Sequence, residues 1–479
     1  MGFKFVILWT DAALWLLVAA LVAYIVHVRR DANLRATWHK VMRDHAAVSA
    51  GVVLLLFVAV TLLDSIHFRR ALQQDQGSSQ VFYDTRTESL LESLLSRQIA
   101  MRETTYSSPL ATHGHTKESI EEGGKTVRDF PRLTFGGAHL NKEADREWAG
   151  DVLSRILVGA FGGLLLFAAI AVLVAAAIRS EHGGIGGALR DIARDNTTFP
   201  VRAILGTVLA LCLLAGPTIA LMGYYHVLGT DRTGNDVLVQ ALKSVRTAFV
   251  IGALSTVATL PFALVLGVLA GYFRGWVDEV IQYLYTTLTS VPNVLLIAAC
   301  VLMVQVFLDK HPDLFETGVE RSDLKIFLLC AILGVTGWST LCRLIRGETL
   351  KLRELDYVQA ATAFGVSHSR IMARHIMPNV MHLVLITTVL SFSDLILYEA
   401  VLTYVGVGVD PSMSSFGGMI NLARSEMSRD PLVWWSFAAA FFFMVTLVLA
   451  ANLFADGVRD AFDPRARVFR ARLIVKKPA

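Results

Sequence analysis

Long apolar stretches alternate with short polar ones along the whole chain, and they set the first expectation. About nine apolar runs approach the roughly 20 residues a helix needs to cross a hydrocarbon core. They lie near 6–27, 47–64, 153–178, 203–224, 248–271, 280–307, 325–344, 379–405 and 433–455. Lipid cannot satisfy backbone N–H and C=O groups, so runs of this length are expected as helices. Positions from about 200 onward carry six runs joined by short loops. The first 200 carry three, with one polar insert, Ser65 to Asp151, expected outside the cell membrane. Inside it, Thr85 and Glu88 have capping-box spacing, and Leu90, Leu91, Leu94 and Leu95 follow at helical intervals, predicting an amphipathic helix to about Met101. Glu121-Glu-Gly-Gly-Lys125 predicts a hairpin turn between extended runs. The insert reads as a small α+β lid or docking surface.

Composition agrees with lipid as the main solvent. Of 479 residues only 18% are charged and 54% are hydrophobic, where soluble domains average about 25% charged. The placement of charge says more than the net +4. Basic residues gather in alternate loops: Arg29, Arg30, Arg35, Lys40 and Arg43; then Arg179, Arg190, Arg194 and Arg202; then Arg343 to Arg374; then the tail from Arg465 to Lys477. Lys and Arg hold short loops in the cytoplasm, so nine spans place the N-terminus outside and the C-terminus inside. The connection from 308 to 324, with Asp309, Asp313, Glu316, Glu320 and Asp323, fits the outer side. Only Lys4 precedes the first run and no small-residue cleavage site follows, so it is expected as a retained span and not a signal peptide.

Candidate chemistry is sparse. Cys212, Cys300, Cys330 and Cys342 fall in or at the ends of spans without metal-ligand spacing and read as packing residues. Gly123-Gly124-Lys125-Thr126 lacks the upstream glycine of a phosphate loop, Ser119 standing in its place. His113, His115 and His139 read as exposed loop histidines and not as metal ligands. No catalytic residue, no metal site and no nucleic-acid partner is expected. Acids inside spans are functional suspects. Asp394 and Glu399 are five residues apart and so face different sides of one helix. Asp394 is either a pore-facing acid that binds the amino group of a solute or a structural acid partnered with another helix. Asp11, near the outer end of the first run, is expected to snorkel or hydrate.

The most informative segment runs from Tyr357 to Pro378. It joins Gln359-Ala360-Ala361, a Gly365 four residues on, a basic stretch with Arg370, and Pro378. This predicts a small-residue helix from Tyr357 to Phe364, a break at Gly365, a basic helix from His368 to His375, and a stop at Pro378, where the next helix begins. The arrangement resembles the cytoplasmic coupling loop of ABC-importer permeases, the membrane subunits driven by a separate ATPase. Further stretches follow in that family's order. They are Leu228-Gly-Thr-Asp-Arg-Thr-Gly-Asn-Asp-Val237, with Gly229, Thr230, Asp231, Gly234 and Asp236; Gly267 to Asp278; Ser290 to Leu296; Gly337 to Glu348; Glu399 to Pro411; Ser415 to Gly418; and Asn452 to Pro464. Together they resemble the dipeptide/oligopeptide (and nickel) class. The chain departs from the family pattern with Asn235 for Arg, Gln359 for Glu and Met377 for Leu. Each of the first two removes a charge, so the corresponding ion pairs are expected to be absent or supplied elsewhere.

The resemblance implies an all-α polytopic membrane protein. A six-helix, type I importer-like permease core (201–464) would follow two N-terminal helices (1–64), the insert (65–151), and a third extra helix with a linker (152–200); a basic tail (465–479) would close it. It also implies a bacterial inner-membrane location and a non-enzymatic transport role for di- or oligopeptides or related solutes. Partners would be a second permease subunit, two ABC ATPase subunits that bind the ATP and Mg, and an extracytoplasmic solute-binding protein. Glycines Gly267 and Gly271 would let a neighbouring helix approach closely, and Pro292 would kink the sixth span. Two other readings compete: a secondary transporter with Asp394 and Glu399 as ion sites, and a membrane scaffold or sensor whose insert binds ligand.

Overall fold

The computed structural model describes residues 3–72, 82–122, 125–140, 147–179, 184–315 and 317–462. Among these, nine helices are long and apolar enough to cross a membrane: Trp9–Arg30, His45–Asp64, Trp148–Ala177, Val201–Leu221, Val237–Phe273, Asn293–Lys310, Gly318–Arg353, His368–Tyr404 and Trp435–Phe462. The expected polytopic helical fold is therefore present, with three spans before position 200 and six after it. Turn residues 123–124, the phosphate-loop look-alike built on them, Glu316 and the basic tail lie outside the described residues. The chain divides into two compact units. One holds Met1–Val6, Met42–Thr247 and Ser414–Ala450; the other holds Ile7–Val41, Ala248–Met413 and Ala451–Ala479.

In the first unit, the segment Phe3–Val6 is a strand that the hydrophobic pattern did not announce. It pairs antiparallel with His67–Arg70, which pairs in turn with Glu88–Ser89. The predicted hairpin is present as Glu118–Glu122 against Lys125–Asp129. The capping box falls one turn later than expected, because Glu88 is held in the sheet. Ser89 is the cap, with Glu92 N donating to its Oγ at 3.0 Å, and two short helices, Leu90–Leu94 and Ser96–Ala100, replace the single one. Below the insert, Trp148–Ala177 packs on Val201–Leu221 through glycine. A Cβ on Gly159 would sit 2.6 Å from the Gly216 carbonyl oxygen, so the backbones touch directly.

The second unit is centred on buried Tyr272, Ile281, Trp338, Ile345, Val358, Ile371 and Ile376. Gly267 and Gly271 form the expected seam. A Cβ on them would meet the Cys342 and Arg346 carbonyl oxygens at 2.9 and 2.8 Å. Two proline expectations need correction. Pro292 does not kink one span; it separates two helices, Gly275–Ser290 and Asn293–Lys310, with Val291 extended between them. Pro378 does lie in the first turn of Met377–Tyr404, as expected, but the helix before it does not stop there. A wide π turn over Met372–Ile376 carries the backbone into Met377–Tyr404, absorbing the donor that proline lacks. Asp11 also differs: it is only 2% exposed and does not snorkel. Beside it, Thr10 N donates to Asp323 Oδ2 at 2.9 Å, and Asp323, expected in a polar connection, is fully buried in the Gly318–Arg353 helix.

Candidate functional site

The Gln-Ala-Ala segment folds as an elbow. Asp356–Ala363 is helical, Gly365 adopts φ +73°, and His368–Ile371 resumes the helix. Gly365 N donates to Thr362 O at 3.0 Å and Val366 N to Ala361 O at 3.1 Å. This is the Schellman pattern, in which a left-handed glycine satisfies the last carbonyls. One face of the elbow is core: Val358 and Ile371 are buried. The other is bare. Tyr357, Gln359, Ala360, Gly365, Arg370 and Pro378 are exposed, Ala361 is half-buried, and Phe364 is 87% exposed.

The elbow is tied to its base by residues whose roles were not foreseen. Arg353 Nη1 donates to Tyr272 O at 2.7 Å, and Tyr272 Oη lies 2.8 Å from His368 Nδ1. Arg346 grips Asp278 with two bonds of 2.5 and 2.7 Å, which hold the Asp278 carboxyl below the usual carboxylate range despite its burial. Gln359, the uncharged substitute, donates to Glu354 O at 3.2 Å, and Asn379 Nδ2 donates to Tyr357 Oη at 3.2 Å. Asp278 and Arg346 both stood in the quoted motifs, so their pairing could have been suspected. Phe364 had no signal beyond an apolar residue beside a glycine.

In the same unit, a cavity of about 240 Å³ is lined by Asp394 together with Thr256, Thr259, Asn293, Thr340 and Tyr398, among others. Glu399 is not part of it. It is fully buried on another side of the helix and accepts a bond from Thr403 Oγ1 at 2.8 Å.

The Gly-Thr-Asp segment is a tight turn, with Gly229 and Gly234 at φ +72° and +77°. Asp231 Oδ1 accepts from Thr233 N at 2.8 Å and Asn235 N at 2.9 Å, so where the family carries Arg a hydrogen-bonded Asn closes the turn. Asp236 caps the Val237–Phe273 helix through Leu238 N at 2.8 Å, and its other oxygen lies 2.9 Å from His226 Nδ1. The insert reaches this turn from outside the motif. Ser107 N donates to Thr230 Oγ1 at 2.7 Å, and Glu103 Oε1 lies 3.5 Å from His226 Nε2, an ion-pair contact without hydrogen-bond alignment. Glu103 also accepts backbone N–H bonds from Thr134, Phe135 and Gly136 at 2.9, 2.8 and 3.0 Å. Burial favours neutral forms, yet the bond to Asp236 and the charge of Glu103 raise the His226 pKa to about 9. Burial works against the Glu103 carboxylate too, but His226 and the three N–H groups bring it down to about 2. Of the insert histidines, His115 is half-buried edge-on to Trp435 and His139 lies 2.9 Å from Asp151 Oδ2; no cluster of three or more metal-ligating side chains occurs among the described residues.

Residues 263–468 match the family described as binding-protein-dependent transport system inner membrane component. The match includes the elbow and Asp394 and leaves the insert outside. The oligopeptide transport system permease protein OppC of Mycobacterium tuberculosis is 32% identical over 248 residues, covering 79% of that protein and 52% of this chain. The chain belongs to this family. The permease is also similar to OppC of Bacillus subtilis (31% identical, 72% of that protein and 50% of this chain) and to the glutathione transport system permease protein GsiD of Pectobacterium atrosepticum (31%, 73% and 50%). It is thus a multi-pass inner-membrane transport component.

Proposed function

We propose that this permease forms half of the translocation pore of an ATP-driven importer of di- or oligopeptides or related small solutes. Its neighbours would be a second permease subunit, two ABC ATPase subunits and an extracytoplasmic solute-binding protein. ATP and Mg would be bound by the ATPases, since the chain has no complete phosphate loop. The observation that carries the reading is the elbow: a bare surface at Ala360, Phe364 and Gly365 on a base fixed by Tyr272, His368 and Arg353. The helix running from His368 to Tyr404 supports a lever. From Ile371 to Asp394 it spans about 35 Å at 1.5 Å per residue, so a push on the elbow is transmitted to the cavity wall. Such a step is a rigid-body switch between inward-facing and outward-facing arrangements. The elbow and the C-terminus face the cytoplasm in this reading, and the N-terminus lies outside.

Gly365→Trp tests it. No atom within 4 Å would oppose a side chain there, so the change acts through the left-handed backbone, at about 1–2 kcal/mol, and through bulk on the docking face. Insertion in the membrane should be normal, and ATP-driven uptake by the assembled complex should be lost. Normal uptake would remove the elbow from the mechanism. The same assay separates this reading from an ion-driven transporter, which would be indifferent to the elbow.

A further inference from the structure

The cavity beside Asp394 has an unusual balance of hydrogen-bonding groups. Asp394 is the one charged side chain in its wall, and no hydrogen bond or ion pair engages it among the described residues. Two of the six hydroxyls in the wall are committed as donors. Thr256 Oγ1 donates to Gly252 O at 2.6 Å and Thr259 Oγ1 to Ser255 O at 2.9 Å, both back along their own helix. Their remaining valence toward the cavity is lone pairs. Asn293 Nδ2 donates to Tyr398 Oη at 3.4 Å, which leaves the Asn293 carbonyl oxygen as an acceptor. Thr388 Oγ1, also in the wall, is buried without any partner.

Asp394 is exposed to this cavity, and an ionisable side chain within a span marks a site by default. The wall supplies one carboxylate, several neutral hydroxyls and no cation. The complement to this wall is a positive charge on a group small enough for about 240 Å³. A primary ammonium has three donors and no acceptor. A carboxylate or phosphate would meet the like charge of Asp394 on the same wall. We infer that this cavity is a subsite for the ammonium group of the transported solute, so that the permease favours amine-bearing cargo such as peptides with a free N-terminus. The inference rests on the permease reading and assigns a substrate class to it. Of the two sequence-based alternatives for Asp394, the inference takes the pore-facing one.

The test uses the assembled transporter in vesicles, with trialanine and N-acetyl-trialanine as probes. Asp394→Asn keeps the shape and removes the charge, and normal copurification of the other subunits reports that it has folded. Uptake of trialanine should fall at least about tenfold, the scale of one charge-assisted bond, and its advantage over the acetylated peptide should vanish. Asp394→Glu should restore much of that advantage. Equal uptake by wild type and Asp394→Asn, or an equal fall for both peptides, would overturn the inference. A second readout needs no transport: labelling of Asp394 by a water-soluble carbodiimide, followed by mass spectrometry. Trialanine should protect the carboxyl and N-acetyl-trialanine should not; equal labelling with either would overturn the subsite. If wild type carries neither peptide, the peptide reading falls, while the labelling result still decides the ammonium subsite.

Discussion

At the scale of single residues, the ion cluster of Glu103, His226 and Asp236 carries a definite pH signature. His226 is 1% exposed, so its charge is stable only because two carboxylates face it. Its folded pKa of about 9 lies above the ordinary 6.5. Stability from this group is therefore complete below 6.5 and is lost as the pH rises through 9. Glu103 runs the other way. With a folded value of about 2 against 4.5, its contribution is present above 4.5 and lost as the pH falls through 2. The purified protein should melt highest between about pH 4.5 and 6.5, with an alkaline decline of about 3 kcal/mol by the usual conversion of pKa into free energy. The two groups share one interaction, so their terms do not add. Glu103→Gln should move the alkaline decline to lower pH; an unchanged melting profile from pH 6 to 10 would mean that His226 is not charged in the fold. The turn carrying Asp236 was legible in the sequence because its glycines and acids are local. Glu103 was not, since it meets the turn only through the tertiary fold and lies in the insert, which has no counterpart in the matched range.

At the scale of elements, the spans were legible because lipid leaves the backbone little choice, whereas their breaks and seams depended on neighbours. The seam at Gly267 and Gly271 followed from spacing alone. Gly159 and Gly163 have the same four-residue spacing and make an equally close contact, with Gly216 and Cys212 as the facing backbone. That signal was available and passed unread. The Phe3–Val6 strand was not readable, because its partner His67–Arg70 lies beyond two spans in sequence. The π turn before Pro378 depends on a choice between stopping a helix and widening it, which buried Ile371 and Ile376 settle by packing on both sides. Gly159→Leu tests the weight of the unread seam. With backbone 2.6 Å from the new Cβ, no rotamer relieves the clash. The helices must part, at about 1–3 kcal/mol by the usual cost of overpacking. Thermal unfolding in detergent should show a clearly lower midpoint, while Gly162→Leu, where nothing lies within 4 Å, should be nearly neutral. Equal effects of the two would mean the seam contributes nothing.

At the scale of the whole molecule, function depends on which side of the membrane each loop occupies, and parity makes this testable. Five candidate spans lie between the insert hairpin and the elbow, from Trp148–Ala177 to Gly318–Arg353. An odd number of crossings would put Ser119 and Ser369, both exposed, in opposite compartments. The weakest of the five is Asn293–Lys310. Its 18 residues make a rod of about 27 Å, just short of a hydrocarbon core of about 30 Å, and the separate Gly275–Ser290 helix precedes it. If that segment only dipped into the bilayer, the elbow would share a compartment with the insert and no cytoplasmic ATPase could reach it. Single cysteines at Ser119 and Ser369 decide the matter, because native Cys212, Cys330 and Cys342 are buried and Cys300 is half-buried, which keeps background labelling low. A membrane-impermeant maleimide should label Ser119→Cys in intact spheroplasts and Ser369→Cys only after the membrane is opened. Labelling of both before opening would make Asn293–Lys310 a re-entrant segment. The motor would then have no surface on which to push.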